Sequence, residues 1–210
     1  MHWPDPATPI DETANALRSL HEAGKVRAIG VSNFSAAQLD EFTKFAPLHT
    51  VQPPYNLFER AAERDVLPYA RTHDIATLTY GALCRGLLGG KMREDTTFPK
   101  GDLRSSDDPK FQPPRFAQYL RAVKRLDELA QAKFGKRVIH LAVRWVLDQP
   151  GVSVALWGAR HPDQVDVLPE IFDFSIDAQT QTEIEQIVAQ EVKDPVGPEF
   201  MAPPEELSVR

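Results

Sequence analysis

Three polar side chains stand directly after runs of this sequence that read as buried strands. Ser32 and Asn33 follow the run Val26–Val31, and Gln52 ends a short run that begins at Thr50. One hydroxyl and two amides together offer hydrogen-bond donors and acceptors. In parallel barrels the active site lies at the carboxyl ends of the strands, so we expect these side chains to converge on one ligand.

An aromatic residue and an arginine follow two further strand-like runs. Tyr80 ends the run Ile75–Tyr80, and Gly158-Ala159-Arg160 follows Val152–Trp157 and leads into Pro162. An aromatic face can stack on a flat ligand ring. A guanidinium binds phosphate oxygens through two parallel hydrogen bonds, and the start of a helix favours anions. Tyr80 and Arg160 therefore also stand at the carboxyl ends of predicted strands, where parallel sheets bind their ligands.

Several other chemistries find no support in the sequence. The five histidines at 21, 49, 73, 140 and 161 lack the spacing of metal ligands, and no G-x-S-x-G motif is present. The single Cys84 has no histidine neighbour in sequence and reads as a structural thiol. A net charge of −6 argues against a nucleic-acid partner. No apolar run is long enough to span a bilayer and no leader is recognisable, so we expect a cytoplasmic protein.

These residues are positioned by segments that alternate between strand and helix. Strands are predicted at 26–31, 50–52, 75–80 and 152–157, and helices at 8–23, from Ser35 onward, at 61–72, 115–134, 138–147 and 177–190. Between residues 85 and 114 the many glycines and prolines predict a long loop. Such alternation is typical of a parallel sheet. No G-x-G-x-x-G follows any strand, so a doubly wound dinucleotide fold is not supported.

Five stretches, in this order, resemble the aldo/keto reductases, which are (β/α)8 barrels that move a hydride between NADP(H) and a carbonyl or alcohol. The stretches are His2-Trp3-Pro4-Asp5, Lys25–Phe34, Gln52-Pro53-Pro54-Tyr55-Asn56, Tyr80–Leu83 with Gly86–Lys91, and Gly158–Arg160 with Gln164. They match the family's fourth to eighth strands. The resemblance thus implies the C-terminal half of a TIM barrel with its N-terminal half absent. We expect one partial barrel domain over residues 1–210, with an extended tail at 194–210.

The resemblance also implies roles for individual residues. Ser32, Asn33 and Gln52 would hydrogen-bond the nicotinamide carboxamide, and Tyr80 would stack on its ring. The loop through Leu83, Gly86 and Leu87 would follow the pyrophosphate. All of these residues would therefore contact the same bound cofactor.

The turn after the last strand suggests which cofactor that is. By resemblance, Gly158 begins the turn, Arg160 would hold a 2′-phosphate and Gln164 would reach the adenosine, which favours NADPH. Four residues later the family often has an asparagine for the adenine, and this chain has Leu168. The adenine contacts are therefore the part of the resemblance that fits least.

The resemblance covers fewer of the family's catalytic residues than of its cofactor-binding residues. The family uses a tyrosine, a lysine, an aspartate and a histidine, and among these only the histidine finds a counterpart, His2. Trp3, and the tail around Phe200 and Met201, would line a substrate pocket. We expect a small-molecule carbonyl substrate whose identity the sequence leaves open, and a truncated chain that is inactive alone and associates through open barrel edges. The alternative is a non-catalytic module that binds NADP(H).

Overall fold

A computed structural model describes residues 1–202 as a four-stranded parallel sheet with helices packed against it. The strands are β1 (Gly30–Ser32), β2 (Thr50–Gln52), β3 (Ala76–Tyr80) and β4 (Val154–Leu156), and they pair in sequence order. The helices are α1 (Ile10–Glu22), α2 (Ala36–Thr43), α3 (Val66–Thr72), α4 (Leu103–Ser106), α5 (Arg115–Phe134), α6 (Val138–Leu147) and α7 (Ala178–Glu191). Strands that pair with their sequence neighbours are arranged as in a TIM barrel rather than as in a doubly wound sheet.

Local signals in the sequence explain several helix ends. The Ser35 hydroxyl accepts from the Gln38 amide N–H while the Gln38 side chain accepts from the Ser35 N–H, which is the predicted capping box of α2. Gly135 ends α5 at a φ of 64°, a left-handed conformation that glycine adopts without strain. At the start of α1, Pro9 stands at the N-cap, and the Thr8 hydroxyl donates to Asp5.

The register of the sheet sorts its side chains into two faces. Val31 pairs with Val51 and Val51 with Thr77, and all three are buried beneath the helices. Because alternate residues of a strand point to opposite faces, the other face carries the neighbours of these residues. That face presents Gly30, Ser32, Thr50, Gln52, Ala76, Leu78 and Tyr80. Three residues predicted to bind the cofactor therefore share one face.

The half-barrel with open edges that the resemblance implied is wrong as a description of this sheet. The outer edge of β1 is occupied, because the Met1 amino group donates to the Gly30 carbonyl (2.8 Å) and the Ser32 N–H donates to the Met1 carbonyl (2.9 Å). Among the large apolar residues that are exposed within 1–202, Val154 is the one that lies in a strand. The inner face carries small or polar residues on β1 and β2, and the apolar Leu78, Val154 and Leu156 on β3 and β4. Self-association through the edge of β4 stays a prediction.

The segment between β3 and α5 was predicted as a loop and is largely ordered by short turns of helix. It contains 3₁₀ helices at Cys84–Gly89 and Pro109–Phe111, with α4 between them. The predicted helix at 61–72 is likewise a 3₁₀ turn followed by α3. The predicted tail from 194 includes a 3₁₀ turn at Glu199–Met201, and its residues 203–210 lie outside the described part of the chain. Among the described residues, no helix is long and apolar enough to cross a membrane.

Candidate cofactor and substrate site

A hydrogen-bond network joins three of the predicted residues at the carboxyl ends of the strands. The Tyr80 hydroxyl donates to Asn33 Oδ1 (2.8 Å), and Asn33 Nδ2 donates to Ser32 Oγ (3.1 Å). Ser32 Oγ in turn donates to the backbone carbonyl of Gln52 (2.7 Å). The network runs across β1, β2 and β3, so the strand ends hold one another in place.

Asn33 owes its central place to the turn that follows β1. Its φ of 62° lies in the left-handed region, which asparagine tolerates better than most residues because its short side chain bonds locally. This turn directs the Asn33 side chain back over the sheet, where Nδ2 also donates to the His2 carbonyl (2.9 Å). Ser32 and Asn33 therefore hold one another, and the strand ends, in a fixed arrangement.

Gln52 and Tyr80 differ from Ser32 and Asn33 in which of their side-chain groups are available to a ligand. Among the described residues the side-chain amide of Gln52 makes no hydrogen bond, and it stands half-buried at the same edge. Tyr80 is half-buried as well, and burial together with the nearby Glu59 carboxylate raises the pKa of its phenol to about 12. The phenol therefore stays protonated near neutral pH and keeps donating to Asn33.

The loop after β3, residues 83–90, has the unusual backbone expected of a segment that approaches a ligand closely. Cys84, Arg85 and Gly86 have successive φ values of 45°, 53° and 94°. A methyl group on Gly86 would lie 3.1 Å from the Met92 side chain, so only glycine fits without adjustment. Leu87 is fully buried and anchors the loop, which we call the Gly86 loop. The Cys84 thiol is buried, which raises its pKa well above the ordinary value and supports the structural role predicted for it.

The turn after β4 is open to solvent at Gly158, Ala159 and Arg160. The Gln164 side chain accepts hydrogen bonds from the N–H groups of Arg160 (2.6 Å) and His161 (3.3 Å). Gln164 thus shapes this turn, and its predicted contact with adenosine stays a prediction. Within residues 1–202, a Cβ added to Gly158 would have no atom within 4 Å beyond those of its chain neighbours. The turn therefore leaves room for a ligand beside the Arg160 guanidinium.

One of the predicted substrate residues, Trp3, borders a cavity of about 1020 Å³. Trp3 and Asn33 lie on one wall, and Pro53, Pro54, Leu57, Phe58, Glu59 and part of the C-terminal segment 195–202 lie on the others. His2 is exposed and its ring meets Trp3 edge to face, with 6.1 Å between ring centroids. The cavity lining includes neither Gln52 nor Tyr80 nor Arg160, so it adjoins the strand-end network at Asn33 without enclosing it.

The predicted pocket residues of the tail have other contacts. The Phe200 ring lies 4.8 Å from the Arg85 guanidinium carbon, and the Met201 sulfur accepts from Arg85. The segment reaches the cavity instead through Pro195–Glu199 and Ala202. Arg85 and Glu59 were not predicted from the sequence, because charged residues within irregular segments give no periodic signal.

Comparison with known proteins accounts for this arrangement. The sequence pattern of the aldo/keto reductase family matches residues 1–189. The chain belongs to the aldo/keto reductase family.

Individual relatives agree with that membership. The chain is 60% identical over 204 residues to the aldo-keto reductase YhdN of Bacillus subtilis, covering 97% of this chain and 61% of the relative. It is 32% identical over 167 residues to the NADH-specific methylglyoxal reductase of Escherichia coli, covering 78% and 50%. The solved structure of the glycerol dehydrogenase AKR11B4 from Gluconobacter oxydans is 55% identical, with a TM-score of 0.85 over 96% of this chain and 61% of that one.

The comparisons also correct the prediction that the chain is a C-terminal half with the N-terminal half absent. The family match begins at residue 1 and therefore includes the N-terminal region, and 96% of the chain superposes on one solved aldo/keto reductase. The same findings give no support to the expectation that truncation removes catalytic residues and activity. The chain spans 61% of the length of YhdN and of the glycerol dehydrogenase.

The aldo/keto reductase family implies a nicotinamide dinucleotide, and the residues present suit one. Gln52 has an amide without a partner among the described residues, Asn33 Oδ1 keeps its second lone pair, and the Tyr80 ring is half-buried beside both. At the other end the exposed Arg160 can meet a phosphate. The donor set therefore fits a carboxamide-bearing ring at one end and an anion at the other.

Proposed function

We propose that this aldo/keto reductase chain binds NADPH along the carboxyl ends of its strands and reduces a carbonyl compound, or oxidises the corresponding alcohol. The observation that supports this most directly is the Tyr80–Asn33–Ser32–Gln52 network, which leaves one amide and one flat aromatic face free at the same strand end. When bound, the dinucleotide supplies the hydride that the reaction transfers.

Each strand-end residue has a separate task in this proposal. Gln52 exchanges hydrogen bonds with the carboxamide, and Asn33 accepts one through the free lone pair of Oδ1. The Tyr80 ring stacks on the nicotinamide, and its hydrogen bond to Asn33 fixes the plane of stacking. Ser32 orients Asn33 and Gln52 through hydrogen bonds that the structure already contains. One ring face is thereby presented to the substrate.

His2 and Trp3 act on the substrate side. Asn33 holds the His2 carbonyl and so keeps residue 2 beside the strand-end network, and in this proposal the His2 imidazole donates to a substrate oxygen. Trp3 borders the cavity beside it. Two relatives carry names that refer to methylglyoxal and to glycerol, so these compounds are the first substrates to assay.

The choice of NADPH rests on Arg160. An arginine in an open turn that leads into a short helix suits the 2′-phosphate that distinguishes NADPH from NADH. The Escherichia coli relative is named as NADH-specific, so the family alone does not decide between the two. Leu83, Gly86, Leu87 and Gly158 would follow the pyrophosphate and adenosine ends, which both cofactors share.

Cofactor titrations test this preference. We expect Arg160→Ala to weaken NADPH binding by ~1.5–3 kcal/mol, because a hydrogen-bonded charge is lost, and to leave NADH binding almost unchanged. Tryptophan fluorescence during titration of each cofactor measures both affinities. Arg121→Ala, at an arginine of α5 with 56% side-chain exposure, is the matched control.

The same titrations separate the alternatives. Equal losses for NADPH and NADH in Arg160→Ala would contradict the 2′-phosphate role. Addition of methylglyoxal to the NADPH complex then distinguishes a reductase, which consumes NADPH, from a non-catalytic binding module, which does not. Failure to bind either cofactor in the folded chain would remove the proposal as a whole.

A further inference from the structure

Four charged side chains form a buried cluster beside the proposed site. Arg85 contacts Glu59 (2.9 Å) and Asp108 (3.3 Å), and Lys110 contacts the same two carboxylates (2.8 and 3.5 Å). Glu59, Asp108 and Lys110 are 3%, 0% and 0% exposed. We call Glu59, Arg85, Asp108 and Lys110 the charge cluster.

The charge cluster is balanced, with two cations and two anions. Buried charges are tolerated only when they are paired, and removal of one partner leaves another charge unpaired. Burial alone would raise the pKa of Glu59, but the Arg85 and Lys110 charges outweigh burial and hold that pKa below its ordinary value. The four side chains therefore act as one unit that cannot lose a member without rearrangement.

On one side the charge cluster holds the Gly86 loop. Arg85 lies within that loop and has a φ of 53°, a left-handed conformation that costs free energy for a residue with a Cβ. Such backbone persists only where its surroundings fix it, and the two ion pairs of the Arg85 side chain supply that constraint. The Gly86 loop therefore depends on the charge cluster for its shape.

On the other side the charge cluster holds the C-terminal segment 195–202. Lys110 donates to the Gly197 carbonyl (3.1 Å), and Arg85 donates to the Met201 sulfur. The Phe200 ring lies 4.8 Å from the Arg85 guanidinium carbon and 5.6 Å from the Lys110 nitrogen. Cations over an aromatic face are attracted to it. The segment is thus attached to both cations of the cluster.

The cluster therefore joins two parts of the proposed site. The Gly86 loop belongs to the cofactor side, whereas Glu59 and residues 195–199 line the cavity on the substrate side. We propose that the charge cluster couples the order of the Gly86 loop to the order of the C-terminal segment, so that ordering either one stabilises the other. Its effect on cofactor affinity rests on the proposed function, whereas the coupling itself does not.

Hydrogen exchange of the full chain tests the coupling without any cofactor. Phe200→Leu loosens the attachment of the segment while leaving all four charges in place. We expect exchange of the amides of Cys84, Gly86, Leu88 and Gly90, which are hydrogen-bonded within or next to the Gly86 loop, to quicken by ~3–10-fold. Exchange in β1, β2 and β3 should not change. Phe172→Leu is the matched control, because that exposed ring lies over Arg144 instead.

Two outcomes would overturn the proposed coupling. Either the Gly86 loop exchanges at the wild-type rate in Phe200→Leu, or the whole sheet exchanges faster together with it. Lys110→Met is a second variant that removes one charge of the cluster, and it should quicken exchange in the Gly86 loop and in residues 196–202 together. Unequal changes in those two segments would also contradict the proposal.

NADPH titration of the same variants separates this inference from the proposed function. If the wild type binds NADPH, Phe200→Leu should weaken binding by ~3–10-fold, in step with the change in exchange. If the wild type does not bind NADPH but exchange in the Gly86 loop and in the C-terminal segment changes together, the proposed function fails and the coupling is supported. Phe200→Leu could instead bind NADPH as tightly as the wild type although its Gly86 loop exchanges faster. That result would restrict the coupling to a structural role and overturn its link to the cofactor.

Discussion

Single side chains at the strand ends have distinct roles that substitutions can separate. Ser32 and Asn33 use their polar atoms mainly on one another and on the neighbouring backbone, whereas Gln52 keeps its amide free of other described residues. The resemblance assigned all three to the carboxamide. In the structure Ser32 is occupied by its neighbours, whereas the Gln52 amide and the second lone pair of Asn33 Oδ1 remain available to a ligand within residues 1–202.

Tyr80 offers a test at this scale, because its ring and its hydroxyl have different tasks. Tyr80→Phe keeps the stacking face and removes the hydrogen bond to Asn33. We expect a loss of ~0.5–1.5 kcal/mol in the free energy of unfolding, measured by urea denaturation, since one partly buried hydrogen bond is removed. Tyr69→Phe, which removes a partly buried hydrogen bond between α3 and Thr43 of α2, is the comparison.

NADPH binding distinguishes the two variants further. Tyr80→Phe should weaken binding because Asn33 is no longer fixed, whereas Tyr69→Phe should not. If both variants lose the same cofactor affinity, the Tyr80 hydroxyl does no more than stabilise the fold.

At the scale of elements, the close approach of β1 and β2 depends on one glycine. A Cβ on Gly30 would lie 2.2 Å from Thr50 Oγ1, its register partner on β2. Gly30→Ala should therefore destabilise the chain by ~1–3 kcal/mol through overpacking. Gly30→Ala with Thr50→Ala should recover more than half of that loss, because the clashing atom is gone. Urea denaturation of both variants and of Thr50→Ala completes the cycle, and an additive result would refute the clash.

Elements with a strong local signal were predicted well from the sequence. The helices α5 and α6 were predicted at 115–134 and 138–147 and are found there, and β2 likewise matches its prediction at 50–52. The helical spacing of apolar residues and the stop at Gly135 account for α5. The first strand is shorter than predicted, since only Gly30–Ser32 of the region around 26–31 pairs with a neighbour.

The features that were not predicted from the sequence depend on contacts between distant segments. Glu59, Arg85, Asp108 and Lys110 come from three irregular regions, and no periodicity places them together. The polar inner face could have been read from Gly30, Ser32, Thr50 and Gln52, which alternate with buried residues. The wrong prediction of a half-barrel came instead from the resemblance, which matched only the family's fourth to eighth strands.

At the scale of the whole molecule, the charge cluster should make stability depend on acid. The pKa of Glu59 is lower in the folded chain than its ordinary value, so its stabilising effect is complete above the unfolded pKa of about 4.3 and is lost as pH falls through the folded pKa. Glu59→Gln should lower the free energy of unfolding by ~3–5 kcal/mol near neutral pH.

The difference between the wild type and Glu59→Gln should then shrink as the pH is lowered below about 5. Urea denaturation at several pH values measures it. Glu183→Gln, at a half-buried carboxylate paired with Lys133 on the surface, should show a much smaller difference throughout. A Glu59→Gln difference that does not change with pH would show that Glu59 stabilises the fold by packing and not by charge.

The strand-end network of this aldo/keto reductase chain is proposed to bind the nicotinamide end of a dinucleotide, and everything else about the site depends on that. The most direct measurement is NADPH affinity, by tryptophan fluorescence, of the wild type, Gln52→Leu and the control Gln131→Leu, whose residue is exposed on α5. We predict saturable binding that Gln52→Leu weakens by about tenfold, the effect of one or two lost hydrogen bonds, and that Gln131→Leu leaves unchanged. Folded wild-type protein that does not bind NADPH, or equal affinity in all three proteins, would contradict it.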